Sequence, residues 1–201
     1  MVDMVTRTAS KASARERLLE AANELFYAEG VQSVGIDRVI EHAGVAKASL
    51  YNTFGSKEGL VYAYLEFRHE RSRDRITRTL TRFRTPREQL LGVFDALGEA
   101  FTRPGYNGCA FVRATAEVPE DSVVRRAAEN NRAWVRGLFT ELASAAGYAE
   151  PGELARRLQL LYDGAEQSAR MDRDPSAATT ARAAAADLLD AAPLTRPAPA
   201  G

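Results

Sequence analysis

Apolar residues recur along the chain every three or four positions and never settle into strict alternation, so the pattern predicts helices and no strands. Leu18, Ala22, Leu25 and Phe26 share one helical face. Ser13, with Glu16 three residues on, supplies a capping box at the start of that helix, and Gly30 marks its end. Ile36, Val39 and Ile40 begin a shorter helix that Ala43-Gly44-Val45 interrupts. In the helix after it, Leu50 and Phe54 point one way, whereas Lys47, Ser49, Tyr51, Asn52 and Thr53 point elsewhere. Ser56 can cap a further helix, which runs through Leu60, Tyr64, Leu65 and Phe67 into an arginine-rich stretch, residues 68–84, read as a solvated face.

Thr85-Pro86 opens another helix, with Pro at its first position; Leu90, Phe94, Leu97 and Phe101 form its stripe. Residues 103–108 break it. A short helix is predicted from Cys109 to Glu117, and a long one from Asp121 or Ser122 with Val124, Ala127, Asn131, Trp134, Leu138 and Leu142 on one side. The last two carry small residues: Leu154, Leu158, Leu161, Ala165 and Ser168, then Ala177, Ala181, Ala184, Leu188 and Ala191 after Asp174-Pro175. Small side chains let helix axes approach closely, which suits an interface between two copies of the chain. The expected fold is all-α, about nine helices. We divide it into an arm without regular structure (residues 1–12), a three-helix head (13–56), a helical body (57–192) and a Pro/Ala-rich tail expected to be disordered (193–201).

The stretch 33–57 is where spacing and surface chemistry name a task. Two helices crossing with so short a connection require a position that tolerates left-handed backbone, and Gly44 supplies it. This is a helix-turn-helix. Its second helix presents an amide, hydroxyls, a phenol and a lysine, groups that reach base edges and phosphates.

Composition narrows the alternatives. Lys+Arg 27 balance Asp+Glu 27 in 201 residues, which excludes a protein that coats nucleic acid by charge alone. Local clusters suffice for phosphate contacts, and Arg7, Lys11, Arg15, Arg17, Lys47 and Lys57 lie in or near the head. The single cysteine excludes an intrachain disulfide framework and fits a reducing cytoplasm. No apolar run is long enough to span a bilayer. His42 and His69 lack neighbours at metal-ligand spacing, and no catalytic constellation or phosphate-binding glycine loop is present. We therefore expect no enzyme activity, no cofactor and no metal.

Leu25-Phe26, Gly30, Val39, Ala43-Gly44-Val45, Lys47, Leu50-Tyr51, Phe54, Ser56-Lys57-Glu58 and Leu60 together resemble the TetR-type bacterial transcriptional repressors. The likeness covers roughly the first third of the chain. Val34-Gly35 stands where such proteins usually carry Thr or Ser, and Thr53 where His is common; Gly35 or Ser33 is then the expected N-cap. The resemblance implies a homeodomain-like head and a cytoplasmic homodimer that holds two reading helices in successive major grooves of a palindromic double-stranded operator. It also implies a small-molecule effector enclosed among the middle helices, and a four-helix dimer interface built from the last two. The implied DNA contacts are Gly35, Lys47, Ala48, Ser49, Tyr51, Asn52, Thr53 and Lys57. Expected ligand contacts are Phe94, Leu97, Phe101, Cys109, Arg113, Asn131, Trp134, Leu138 and Tyr162, although Phe94, Leu97, Phe101, Trp134 and Leu138 taken one by one read more readily as ordinary core. Glu117 and Gln167 lie near the same stripes. Leu158, Leu161, Ala165, Ala181, Ala184 and Leu188 are the expected dimer contacts. Cys109, after a glycine at a helix start, reads either as a reactive sensor thiol or as a small buried residue without chemistry. Two rival readings are a ligand-independent DNA-binding protein, whose body would be filled, and a small-molecule binding or enzymatic helical protein with no sequence-dependent DNA affinity. A cavity above roughly 300 Å³ separates the first from a ligand-responsive regulator.

Overall fold

The computed structural model describes residues 12–116, 118–119 and 121–195. Among them are nine helices: α1 (Ala14–Glu29), α2 (Ile36–Ala43), α3 (Lys47–Phe54), α4 (Lys57–Leu80), α5 (Pro86–Phe101), α6 (Ala110–Thr115), α7 (Val123–Ala145), α8 (Pro151–Met171) and α9 (Ala177–Ala191). Two compact units are formed, the first ending at Tyr64 and the second beginning at Leu65.

The first unit is built around α1. Ser13 and Glu16 form the expected capping box, and Gly30 closes the helix with φ +99°. Leu18, Ala21, Ala22, Leu25 and Phe26 of α1 are buried with Val34, Val39 and Leu50. This core does not stop at Ser56. Leu60, Val61 and Tyr64, on the first two turns of α4, are also buried, and the Tyr64 ring meets Phe26 edge-on at 5.7 Å. The head thus extends past the expected boundary, because the three helices α1 to α3 enclose too small a core without that extra apolar face.

In the second unit α7 packs on α8, α8 on α9, and α9 on α5, while α6 lies against α7. Thr85 and Glu88 form a second capping box ahead of Pro86. The core joins Ile76, Leu90, Phe94, Leu97, Phe139, Leu158, Tyr162, Ala181 and Leu189. On α7 Val124 and Ala127 are buried as expected, but from there the buried line runs through Val135, Phe139 and Ala143, leaving Asn131, Trp134, Leu138 and Leu142 on the half-buried flank. On α9 it runs through Ala178, Ala181, Ala185 and Leu189. In both helices the expected stripe is rotated by about one residue, since a 3.6-residue turn admits two adjacent readings of a sequence this rich in small and apolar positions.

Residues 1–11 and 196–201, and with them most of the expected arm and tail, lie outside the described residues. Pro193 to Thr195 are not a free tail: Ala149 N donates to Pro193 O at 2.9 Å and Thr195 N to Gly147 O at 2.8 Å, an antiparallel bridge across the α7–α8 connection.

Two glycines test this architecture with opposite signs. Gly44 holds φ +60°, so Gly44→Ala should lower stability to urea by about 1–2 kcal/mol. Gly137, inside α7 with nothing within 4 Å of an added Cβ, should gain about 0.5–1 kcal/mol on Gly137→Ala.

Candidate DNA interface and effector recess

The turn between α2 and α3 is fixed by backbone and by one side chain. Gly44 closes α2 in the left-handed region, its N–H bonding to Glu41 O and Ile40 O. Arg17 of α1 then reaches across, and its Nη1 donates to Gly44 O at 3.0 Å and to Ala43 O at 3.5 Å. Leu50 is fully buried beneath α3, which fixes the rotation of that helix. Lys47, Ala48, Tyr51, Asn52 and Thr53 are consequently exposed, Tyr51 by 46%. Ser49 is half-buried. A solvent-facing tyrosine beside an unpaired amide on a short rigid helix is an arrangement suited to base edges.

Several charges in this unit already have partners. Lys47 Nζ pairs with Asp37 Oδ1 at 2.8 Å, a bond that raises the lysine's pKa, and Lys57 Nζ donates to Gln32 O at 3.3 Å. Thr53 Oγ1 donates to Ser49 O at 2.6 Å, and the Arg15 guanidinium lies over the Phe54 ring. Arg17 is committed to the turn. The basic cluster of the head is thus partly internal; Arg7 and Lys11 fall outside the described residues. Gly35 is the N-cap of α2, extended and with no side-chain cap bond. The first N–H groups of α2 are left for another acceptor, and a phosphate oxygen at a helix N-terminus fits that role.

The second unit contains a recess of about 220 Å³ between α6, α7 and α8, walled by Phe111, Val112, Val135 and Tyr162 and polar at Asn131, Gln159 and Glu166. Of the expected ligand contacts, Cys109, Asn131 and Tyr162 line it. Phe94, Leu97 and Phe101 instead belong to the sealed core, Phe94 stacking near Phe139 at 5.9 Å. Leu138 packs on the edge of that core, Trp134 meets the His69 ring edge-on at 5.6 Å, and Arg113 is half-buried on the last turn of α6. Gln167 is exposed. At about 220 Å³ the recess falls below the roughly 300 Å³ mark and so counts toward the ligand-independent reading; a ligand-responsive one requires a compact effector.

Two of the lining residues bond to α4. His69 Nδ1 donates to Asn131 Oδ1 at 2.9 Å, and the Tyr162 hydroxyl lies beside Ser72. Arg75, next on the same face of α4, donates to Ala96 O and to Ser72 Oγ.

Glu166 is the chemically distinct group. The residue is half-buried with its carboxyl end enclosed, and desolvation lifts its pKa to about 7 despite the Cys109 thiol that donates to it. Cys109 caps α6, yet burial and the Glu166 charge push its thiol well above the ordinary value. The helix start does not prevail, because the surroundings are apolar and the nearest charge is negative. A thiolate at rest is therefore not what this site holds. Among the described residues no group of three or more His, Cys, Asp or Glu could hold a metal ion, and no helix is long and apolar enough to cross a membrane.

The family model for bacterial regulatory proteins, tetR family, matches residues 18–64. A TetR-family transcriptional regulator from Streptomyces coelicolor superimposes with TM-score 0.82 at 34% identity, over 88% of this chain and 94% of that one. The chain belongs to the TetR family. A second TetR structure, from Streptomyces avermitilis and also 34% identical, aligns with TM-score 0.79 over 92% of this chain and all of that one. The HTH-type transcriptional repressor NemR of Escherichia coli is 29% identical over 171 residues, 79% of this chain and 85% of NemR. As a TetR-family member this protein is a DNA-binding transcriptional regulator.

The charged residues Arg125, Glu129, Arg132, Asp163 and Glu166 line the recess and were not among the expected contacts. Glu166 had a signal: it lies four residues after Tyr162, one turn along the same face of α8. Alkylation of Cys109 checks the account of its surroundings. The rate should rise only at pH values above those of an exposed cysteine, and Glu166→Gln should move that rise to lower pH, followed by mass spectrometry of the modified protein.

Proposed function

We propose that this regulator is a repressor released from its operator by a small molecule. The observation that carries the reading is the pair of contacts from the recess to α4, Asn131 to His69 and Tyr162 to Ser72. Helix α4 begins at Lys57, directly after the helix-turn-helix. A ligand that binds better when these bonds are rearranged shifts α4 between two positions, by as much as its affinity differs between them. Two heads must match one duplex at fixed spacing, so a modest shift lowers DNA affinity.

In this reading the residues of α3 divide by role. Tyr51, Asn52 and Ser49 read bases or sugar, Lys47, Ala48, Thr53 and Lys57 position the backbone, and the open N-terminus of α2 at Gly35 takes a phosphate. Lys47 exchanges Asp37 for that phosphate on binding. The operator is palindromic because the protein is a dimer.

The dimer face we assign differs from the expected set. Leu158, Ala165 and Ala181 are buried within the chain's own core and cannot also meet a partner. Leu161 and Leu188 are half-buried at its edge, and Ala184 is exposed. The surface left on α8 is Leu160, exposed by 68%, with Gly164 and Met171, the last by 79%. These lie four and seven residues apart on one line of the helix, and nothing stands within 4 Å of a Cβ placed on Gly164. A second copy of the same helix fits such a line, with close backbone approach at the glycine.

Tyr51→Ala and Asn52→Ala should each weaken binding to a site selected from random DNA by about 1–3 kcal/mol while leaving binding to scrambled duplex unchanged, measured by fluorescence anisotropy at fixed salt. If both variants bind the selected site as tightly as wild type, α3 is not the reading helix. Leu160→Asp should convert the dimer to a monomer in light scattering with helicity intact, and operator binding should fall with it. A Leu160→Asp protein that stays dimeric places the interface elsewhere.

A further inference from the structure

The charges lining the recess do not cancel. Arg132 is paired with Asp163, and Arg125 donates to Thr115 O at 3.4 Å. Glu129 is exposed. That leaves Glu166, whose carboxyl end is enclosed and which has no ion-pair partner among the described residues. The groups facing it are the Cys109 thiol from the start of α6, Tyr162 and Asp163 on its own helix, and Arg68 and Arg75 of α4 acting without direct contact. Arg75 spends its hydrogen bonds on Ala96 O and Ser72 Oγ. A carboxylate has room for about four hydrogen bonds, and here one weak thiol donor serves it. Around it stand Phe111, Val112, Val135 and the face of Tyr162, walls for an apolar body and not for water. A carboxylate without an ion-pair partner among the described residues, offset only through space by Arg75 and Arg68, at the end of a recess with apolar walls, is the complement of an organic cation.

We propose that the recess takes a compact organic monocation, a protonated amine or amidinium on an apolar or aromatic body, whose positive group is neutralised by Glu166. This names the effector class for the regulator proposed above and rests on that reading only for its effect on DNA. In the empty protein Glu166 keeps its proton up to about pH 7. A cation favours the ionised form, so binding at pH 6 expels a proton, and affinity rises from pH 6 to pH 8 as that proton no longer has to be displaced. A neutral ligand would show neither effect.

The test uses the full chain and three probes of one shape: benzylamine, benzyl alcohol and benzoate. Isothermal titration at pH 7.5 should show benzylamine binding about tenfold or more tighter than benzyl alcohol, with benzoate weakest. Titrations at pH 6 in two buffers of different ionisation enthalpy should show proton release with the amine. Glu166→Gln should remove the amine's advantage, bringing its affinity down to that of the alcohol measured on the same variant. The proposal is overturned if alcohol and amine bind alike, if the amine binds without proton release at pH 6, or if benzoate binds best, which would make Arg125 the anchoring group. The wild-type comparisons decide the matter even if Glu166→Gln fails to fold. Anisotropy with the selected DNA site separates the two levels of inference: amine binding that leaves DNA affinity unaltered upholds the cation site and removes its role as effector.

Discussion

A left-handed residue between two short helices is the constraint on which DNA recognition here depends. Gly44 can hold φ +60° without steric cost, and Arg17 ties the carbonyls on either side of the turn to α1. Neither helix could hold its angle alone: α2 and α3 have eight residues each, well short of what is stable in isolation. Their geometry is borrowed from α1 and from the first turns of α4, whose Leu60, Val61 and Tyr64 complete the core. The same burial turns Leu50 inward and Tyr51 outward. The exposed face of α3 is thus a by-product of how a very small core is closed.

The body is organised on a different principle, aromatic and aliphatic packing with a polar inclusion. Phe94, Phe139 and Tyr162 form a chain of ring contacts, and directly beyond Tyr162 the packing gives way to Asn131, Gln159, Cys109 and Glu166. Keeping a carboxyl group there costs folding free energy once it ionises. Its folded pKa of about 7 lies above the unfolded value, so its contribution is full below about pH 4.5 and is lost as pH rises through 7. The hydrogen bond from His69 to Asn131 places this inclusion in contact with α4.

Much of this was legible before the fold was known, and what was not has a physical cause. The capping box at Ser13, the stop at Gly30 and the turn at Gly44 are local signals, set by chemistry within four residues, and the structure repeats them. The fold class followed from periodicity. Helix rotation was harder: on α7, α8 and α9, alanines and leucines occupy neighbouring positions, so two faces about 100° apart read almost equally apolar. A correctly read stripe also cannot say whether its cover is the same chain or a second copy: Leu158, Ala165 and Ala181, expected in an interface, are buried in the chain's own core, while Leu160 and Met171 of α8 are exposed. Phe94, Leu97 and Phe101 are readable as ordinary core or as pocket walls, because a stripe cannot say whether the opposite helix fills the space it faces; the structure places them in the core. Cys109 leaves both its readings open in a related way, since a helix N-terminus is visible in sequence but the enclosing walls and the facing carboxylate that favour the buried, unreactive one are not.

The bridge between Pro193–Thr195 and Gly147–Ala149 bears on how the body can move. It straps the connection joining α7 to α8, which are antiparallel by virtue of that short link, while the recess lies near their other ends, between the early turns of α7 and the late turns of α8. The two ends of the pair are thus held differently: the link end is tied by backbone hydrogen bonds to the segment after α9, the recess end by side-chain packing of Val124, Ala127, Ala165 and Ala169. Backbone bonds fix a register, whereas side chains can repack, so the recess end is where the pair can change shape at least cost.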